Sequence, residues 1–298
     1  MTPNATQQTK NALCYLYSQY GNHILSGQEE NATGQPSGND VEFNYVFSTT
    51  GKYPAIRAFD VNNAGNDMRC LAQWNAGGLC MFGYHMGLAN GLPDGYQSSK
   101  TGVSINAVLT EGSALNTTFK GRMDKAAGEI QAVHNGNGVV IWRPFHEAGG
   151  TWFWWSMEGG AQYVRLWKYM FNYMTMVKGL TNILWLLPYD GSPDPSFYPG
   201  KAYVDIGGAD TYNSAYDYSP STALYDTAVN IFGPSMPIAL HECGPVPDPD
   251  QLQSTKTRWS FFSIWTAPFP EQDNTAAELQ KVYGSAYVVT RDKVANLR

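Results

Sequence analysis

Two glutamates, Glu147 and Glu242, each follow a histidine at the end of a short apolar segment. A pair of carboxyl groups that converges on one cleft can cleave a glycosidic bond, because one protonates the leaving oxygen while the other attacks the anomeric carbon or activates water. The two groups need different protonation states at one pH, so their surroundings must differ. A strand-end glutamate is more often an ion-pair or capping residue, but two His-Glu pairs, with several tryptophans after the first, favour catalysis.

Eight short apolar segments must position these glutamates, and they alternate with helical patterns along the chain. The segments are residues 23–27, 53–60, 78–85, 139–147, 183–188, 204–210, 237–242 and 261–265. Alternating strands and helices imply parallel strands joined by crossovers, and eight such units predict an α/β fold, a (β/α)8 TIM barrel. We expect residues 1–298 to form this barrel as a single catalytic domain. An open doubly wound sheet is the alternative, but its usual glycine-rich phosphate-binding turn is missing from the sequence.

The polar residues at the ends of the segments matter most, because active sites of such barrels lie at the carboxyl ends of the strands. They are Gln28, Asp60, His85, Glu147, Asp190, Asp210 with Tyr212, Glu242 and Trp265. Glu147 and Glu242 end the fourth and seventh segments, so we expect them to face each other across the barrel mouth. We predict neither a metal nor a cofactor, since no two histidines have the spacing of paired metal ligands.

The fourth segment carries an arginine as well as the glutamate. Side chains alternate along a strand, which predicts Arg143, Phe145 and Glu147 on one side and Pro144 and His146 on the other. Arg143 then either neutralises buried carboxylates or holds a catalytic one, and the sequence leaves both roles open.

The remaining charged residues near the strand ends are interpreted as structural. Glu29 and Glu30 are expected in a loop or an outer subsite, and Asp60 is a candidate for a substrate contact. Arg57 on the second segment has the same two alternatives as Arg143.

Residues 143–155, Arg-Pro-Phe-His-Glu-Ala-Gly-Gly-Thr-Trp-Phe-Trp-Trp, resemble the acid/base signature of glycoside hydrolase family 26. That family consists mainly of retaining endo-β-1,4-mannanases on (β/α)8 barrels, and the likeness extends over nearly the whole chain. The resemblance implies that Glu147 is the general acid/base and Glu242 the nucleophile, with carboxyl groups about 5–5.5 Å apart. It also implies substrate-binding residues, namely His85, His146, Trp152, Asp210, Tyr212 and Trp265. Among these, Tyr212 hydrogen-bonds the nucleophile, and the two tryptophans form aromatic walls.

The sequence departs from the family pattern in one loop. The stretch from His85 to Glu111 lacks a tryptophan that mannanases of this family often carry, so Tyr84 or Tyr96 substitutes for it or that wall is missing. A β-1,3-xylanase or a mixed-linkage β-glucanase is therefore an alternative to a mannanase. A non-catalytic carbohydrate-binding barrel is a third, less favoured because such proteins usually lose a catalytic carboxylate.

Composition restricts the partners. The net charge is −6, and no cluster of lysines and arginines occurs, which argues against nucleic acids and anionic membranes as partners. No apolar run has the length of a membrane span. We expect β-mannan polysaccharide and manno-oligosaccharides as the partners of a monomer.

The sequence gives weaker indications of where the protein acts. We expect a secreted protein. Residues 1–4 do not have the basic and then apolar pattern of a signal peptide, so we expect that the signal peptide is absent from this chain. Glycosylation sequons at Asn4, Asn31 and Asn116 give weak support. The cysteines leave one or two disulfides, or buried thiols, open: Cys14, Cys70, Cys80 and Cys243.

Overall fold

A closed barrel of eight parallel strands forms the centre of the molecule in a computed structural model, which describes residues 1–30, 40–89 and 91–298. The strands, named β1 to β8 in chain order, are Gly27–Glu30, Ile56–Asp60, Leu79–Gly83, Val140–Arg143, Ile183–Tyr189, Ile206–Thr211, Ile238–Cys243 and Phe262–Ile264. Each strand pairs with the next one in sequence, and β1 pairs with β8 at Gln28 and Ile264. The predicted (β/α)8 barrel is confirmed, and a doubly wound sheet is excluded.

Helices surround the barrel over the described residues. The α-helices are Gln7–Gln19, Val41–Thr50, Asn66–Asn75, Tyr96–Ser99, Ile105–Leu109, Ala114–Asn135, Gly160–Asn172, Thr222–Phe232, Pro249–Thr255, Phe269–Gln272 and Ala276–Gly284. A π-helical turn at Tyr173–Val177 and 3₁₀ turns at Pro195–Phe197 and Arg291–Lys293 complete the helical segments. The helix Ala114–Asn135 begins at Ser113, whose side-chain oxygen accepts a hydrogen bond from the backbone N–H of Asn116 and so caps it.

Two layers of apolar side chains hold the barrel together, because successive side chains of a strand point to opposite faces. In β3, Leu79 and Met81 join one buried cluster inside the barrel. Cys80 and Phe82, which alternate with them, join a second cluster between the strands and the surrounding helices. The lower barrel is therefore a packed core, and polar chemistry is confined to the carboxyl ends of the strands.

The first barrel strand lies further along the chain than predicted. Ile24–Leu25 of the predicted segment pairs instead with Val288–Val289 in a separate two-stranded sheet. The barrel strand itself reads Gly-Gln-Glu-Glu and is buried throughout, so hydrophobic patterning could not reveal it. The expectation that Glu29 and Glu30 lie in a loop or an outer subsite was wrong, since the two residues are 2% and 0% exposed.

One disulfide joins a helix to the barrel. Cys70 in the helix Asn66–Asn75 is bonded to Cys80 in β3, whereas Cys14 and Cys243 are free thiols. The sequence had left this pairing open.

The sequons give mixed results. Asn116 is buried, and its side-chain amide donates to the carbonyl of Val108 and the hydroxyl of Tyr169, so it is not an accessible glycosylation site. Asn4 is exposed, and Asn31 lies outside the described residues. In the part of the chain that the structure describes, no helix is long and apolar enough to cross a membrane.

Candidate active site

A cavity of about 550 Å³ opens at the carboxyl ends of the barrel strands. Seven of the eight predicted site residues line it: His85, His146, Glu147, Trp152, Tyr212, Glu242 and Trp265. Residues from the third, fourth, sixth, seventh and eighth strand ends thus converge, although up to 180 residues separate them along the chain (from His85 to Trp265). The predicted convergence at the barrel mouth is therefore present.

Glu242 lies at the end of β7 with hydrogen-bond donors at both oxygens. Its Oε2 accepts from Nη1 of Arg143 at 2.7 Å, and its Oε1 accepts from the hydroxyl of Tyr212. The side chain is almost completely buried. A guanidinium and a hydroxyl aimed at one buried carboxylate stabilise its ionised form, which is the form that a nucleophile needs.

Arg143 ends β4 and reaches across the barrel interior to Glu242. Gly83 on the neighbouring strand makes room for it, since a Cβ at that position would lie 3.1 Å from Nη2 of the arginine. Nη2 also lies 3.8 Å from Oε2 of the buried Glu29. Both roles left open by the sequence are therefore present at Glu242, because Arg143 balances the charge of this buried carboxylate and also holds it in place.

His241 has both ring nitrogens committed to neighbours. Nε2 lies 3.0 Å from the carbonyl of Tyr189, which only accepts, and Nδ1 lies 3.3 Å from Nη1 of Arg143, which only donates. Nε2 therefore carries the hydrogen and Nδ1 the lone pair. Burial and the charge of Arg143 lower the pKa of this imidazole well below its ordinary value, so it stays neutral.

Asp210, His241 and Glu242 bring potential metal ligands within 4.8 Å of one another. The set does not fit a metal ion, because neither nitrogen of His241 has a free lone pair and Arg143 already binds Glu242. The guanidinium supplies the positive charge at this place.

Glu147 follows β4 in a turn whose geometry is unusual for a side chain of its size. Its φ is 55°, in the left-handed region that non-glycine residues rarely adopt. The turn is held by the backbone N–H of Ala148, which donates to the carbonyl of Pro188 at 2.9 Å. Strain of this kind persists only where the surrounding structure enforces it and is concentrated at functional sites.

The environment of Glu147 differs from that of Glu242. Burial, and then the negative charge of Glu242, raise its pKa to about 7, opposed by the indole N–H of Trp152, which donates to Oε2. A carboxyl group with this pKa can hold a proton near neutral pH and release it during a reaction. The two glutamates thus have the contrasting settings that their predicted roles require.

The predicted alternation along residues 143–147 was wrong. The strand ends at Arg143, and positive φ values at Phe145 (50°) and Glu147 reverse the direction of the side chains. Phe145 is buried against aromatic residues of the outer cluster, such as Trp154. His146, predicted on the opposite side from Glu147, lines the cavity beside it.

Asp210 is the predicted site residue that does not line the cavity. It is 4% exposed and adjoins Glu242 in the pairing of β6 with β7. Burial, followed by the charges of Glu242 and Glu147, raises its pKa well above its ordinary value. Its Oδ2 has no hydrogen-bond partner among the described residues.

The tryptophans after Glu147 divide between site and core. Trp152 is 38% exposed and lines the cavity, whereas Trp154 and Trp155 are fully buried. The indole of Trp155 donates to the carbonyl of His146 at 2.8 Å. Trp152 therefore faces the cavity, whereas Trp155 supports the turn.

Four further residues line the cavity: Tyr96, Lys100, Phe153 and Phe269. Of the two tyrosines considered as substitutes for the missing loop tryptophan, Tyr96 lines the cavity, whereas Tyr84 is buried. Phe269 stands in a short helix after β8 and packs on Tyr212, with ring centroids 5.2 Å apart. No pattern in the sequence singles out Lys100 or Phe269.

Two other charged groups noted in the sequence lie outside the cavity. Arg57 donates to Oε1 of Glu30 through Nε at 3.0 Å and also pairs with Asp40, so it has a structural role. Asp190 accepts from the backbone N–H of Ser192 at 2.9 Å and closes a turn.

Comparisons with known proteins agree with the geometry. The model of the family "Glycosyl hydrolase family 26" matches residues 1–293. "Mannan endo-1,4-beta-mannosidase B" of Piromyces sp is 29% identical over 99% of this chain and 53% of that protein. "Mannan endo-1,4-beta-mannosidase" of Thermothelomyces thermophilus is 28% identical over 98% of this chain and 62% of that protein. The chain thus spans little more than half the length of these relatives.

A solved structure is also similar over almost the whole chain. The GH26-CBM35 β-(1,4)-mannanase of Podospora anserina superposes with a TM-score of 0.89, at 29% identity, over 99% of this chain and 68% of that one. The family model matches nearly the whole chain, and the barrel and the two converging glutamates agree with it. This chain therefore belongs to glycosyl hydrolase family 26.

Proposed function

We propose that the chain is a retaining endo-β-1,4-mannanase that hydrolyses β-mannan, glucomannan and galactomannan. The observation that carries the proposal is the contrast between two glutamates in one cavity. Arg143 and Tyr212 stabilise the carboxylate of Glu242, whereas burial and a neighbouring negative charge raise the pKa of Glu147 to about 7.

The first step uses both glutamates. An oxygen of Glu242 attacks the anomeric carbon and forms an ester while the glycosidic C–O bond breaks. Glu147 transfers its proton to the departing oxygen, so the leaving sugar departs as a neutral alcohol. Arg143 and Tyr212 hold Glu242 in place for this attack, which lowers the entropy that the step must lose.

The second step reverses the roles of acid and base. Glu147, now ionised, removes a proton from water as the water oxygen attacks the anomeric carbon. The ester bond breaks, Glu242 leaves as a carboxylate, and Glu147 has regained its proton. Two inversions at one carbon retain the anomeric configuration.

The choice of β-mannan as the substrate rests on the relatives of the chain and on the residues that line the cavity. The two curated relatives named above are mannan endo-1,4-beta-mannosidases. The cavity supplies aromatic faces from Tyr96, Trp152 and Trp265, on which the apolar faces of sugar rings can stack. β-1,3-Xylan and mixed-linkage β-glucan are the alternative polymers, and a panel of soluble polysaccharides with reducing-end detection separates them. Faster release of reducing ends from either of these than from β-mannan would replace the proposed substrate.

Two substitutions test the roles of the glutamates. Glu242→Ala should abolish hydrolysis of an aryl β-mannoside, with azide restoring turnover and yielding the α-mannosyl azide. Glu147→Ala should keep the formation of the ester from a substrate with a good leaving group, with azide yielding the β-mannosyl azide. The opposite pair of products would exchange the two roles, and near-normal turnover of β-mannan by either variant would refute both.

Secretion and a monomeric state are also proposed. The Cys70–Cys80 disulfide supports an oxidising compartment, since cytosolic thiols are usually kept reduced. The exposed sequon at Asn4 is compatible with secretion. Size-exclusion chromatography with light scattering tests the monomer, and a mass at twice 32.9 kDa would contradict it.

A further inference from the structure

Asp60 ends β2 and contacts His85, which lines the cavity. It is 2% exposed and is not among the residues that line the cavity. Its Oδ2 accepts from the backbone N–H of His85 at 3.0 Å and lies 2.6 Å from Nδ1 of the same residue. Its Oδ1 accepts from the backbone N–H of Asn62 at 2.8 Å. The carboxylate is thus surrounded by donors that fix its orientation.

These contacts determine where the ring hydrogens of two histidines lie. A carboxylate only accepts, so Nδ1 of His85 carries a hydrogen. In neutral His85 the other nitrogen, Nε2, then has a lone pair and lies 3.2 Å from Nε2 of His146. Nε2 of His146 must therefore donate, because two lone pairs facing each other would repel.

His146 is left with a hydrogen-free nitrogen. Burial is the main cause that lowers its pKa well below its ordinary value, so the ring is neutral. A neutral imidazole carries one hydrogen, and Nε2 has it. Nδ1 of His146 is buried and has no hydrogen-bond partner among the described residues, although the residue lines the cavity. A buried acceptor without a donor costs free energy, and a hydroxyl group that reaches it from the cavity would remove this cost.

We propose that Asp60 is a positioning residue that acts through His85 to keep a hydrogen-free Nδ1 on His146 for a hydroxyl group of the bound sugar. The identity of the ligand rests on the mannanase function proposed above, whereas the positions of the hydrogens do not. If Asp60 were lost, His85 could carry its hydrogen on Nε2 and donate to His146. The hydrogen of His146 would then move to Nδ1. The sugar hydroxyl would have to accept from it and would lose the acceptor for its own hydrogen.

The positions of the hydrogens can be measured in the free protein. Long-range ¹H–¹⁵N correlation spectra of ¹⁵N-histidine-labelled protein at pH 8, above the ordinary histidine pKa of about 6.5, distinguish the two tautomers. We expect the hydrogen on Nδ1 of His85 and on Nε2 of His146. Asp60→Ala should reverse both, whereas Asp60→Asn should preserve them, because its carbonyl oxygen can replace Oδ2. A hydrogen on Nδ1 of His146 in the unsubstituted protein, or unchanged tautomers in Asp60→Ala, would overturn the proposal.

Steady-state kinetics on manno-oligosaccharides test the consequence for binding. Asp60→Ala should raise KM about tenfold, the scale of one mismatched hydrogen bond, with a smaller change in kcat. Asp205→Ala is the matched control, because Asp205 is a buried carboxylate at the opposite end of the barrel that accepts from the backbone N–H of Trp185 at 3.0 Å. It should lower stability without changing KM. An unchanged KM in Asp60→Ala would overturn the role in binding.

The two measurements separate this proposal from the proposed function. If the protein does not act on mannan, activity is missing in all variants, but the tautomers of the free protein still appear as described. If Asp60 has only a structural role, Asp60→Ala and Asp205→Ala change stability alike, and neither changes KM.

Discussion

The protonation state of Glu147 should depend on the charge of Glu242. Burial and this charge raise the pKa of Glu147 to about 7. Glu242→Gln removes the charge and leaves the burial, so it isolates the electrostatic part. At the separation of about 5.5 Å typical of retaining enzymes, two unit charges interact with about 1.5–3 kcal/mol for an effective dielectric constant of about 20–40. This corresponds to about one to two pKa units, so the pKa of Glu147 should fall to about 5–6 in the variant.

A ¹³C NMR titration of protein labelled at the glutamate carboxyl carbons measures this change, with Glu147→Gln used to assign the resonance. Glu129 supplies an internal control, because burial raises its pKa to about 7 as well. Its carboxylate contacts Asn66 and does not line the cavity, so its titration should be the same with and without Glu242→Gln. An unchanged pKa of Glu147, or an equal fall at Glu129, would refute the reasoning.

The same coupling explains how one residue serves as acid and then as base. Formation of the ester neutralises Glu242 just as Glu242→Gln does. The pKa of Glu147 therefore falls in the intermediate, and the group becomes a carboxylate that can accept a proton from water.

Three further predictions concern the neighbours of the two glutamates. Tyr212→Phe removes the hydroxyl that donates to Glu242 and should lower kcat/KM on manno-oligosaccharides about ten- to a hundredfold. Its circular dichroism spectrum should be unchanged. A kcat/KM within twofold of the unsubstituted protein would contradict the role of the hydroxyl. Trp152→Phe removes a donor that lowers the pKa of Glu147, and because the acid must be protonated, the fall of kcat/KM at alkaline pH should move to higher pH; a shift to lower pH would contradict this. Burial raises the pKa of Glu29 to about 8. The folded protein therefore holds a proton that the unfolded chain releases above about pH 4.5. The free energy of unfolding consequently falls as the pH rises towards 8. In urea denaturation, the free energy of unfolding of Glu29→Gln should equal that of the unsubstituted protein near pH 4.5 and exceed it by up to a few kcal/mol near pH 8. An equal difference between the two proteins at both pH values would disprove the raised pKa.

Periodicity and residue type predicted the barrel and five residues of the cavity lining, and the family resemblance added two more. The five are His85, Glu147, Tyr212, Glu242 and Trp265, and the two are His146 and Trp152. Strand ends of a parallel barrel share one face, so the segments that end in Glu147 and Glu242 could be placed together before any contact was known. The strand Gly27–Glu30 escaped this reasoning because its buried residues are polar and pair with residues elsewhere in the chain, as Glu30 does with Arg57 and Arg69. Local pattern does not encode such pairs.

Local backbone geometry limited the rest. The alternation expected after Arg143 failed because Phe145 and Glu147 adopt positive φ, a conformation that neither residue type favours by itself. Phe269 reaches the cavity from a short helix after the last strand, where no periodic signal exists. In each case the tertiary contacts decide the outcome.

The stereochemistry of hydrolysis tests the central claim most directly. ¹H NMR of manno-oligosaccharide cleavage, recorded within seconds to minutes of mixing, shows which anomer of the new reducing end appears first. We predict the β-anomer, followed by slow mutarotation to the α-anomer, because Glu242 forms an ester and Glu147 directs water to it. Initial release of the α-anomer would contradict the double displacement and remove the nucleophilic role of Glu242.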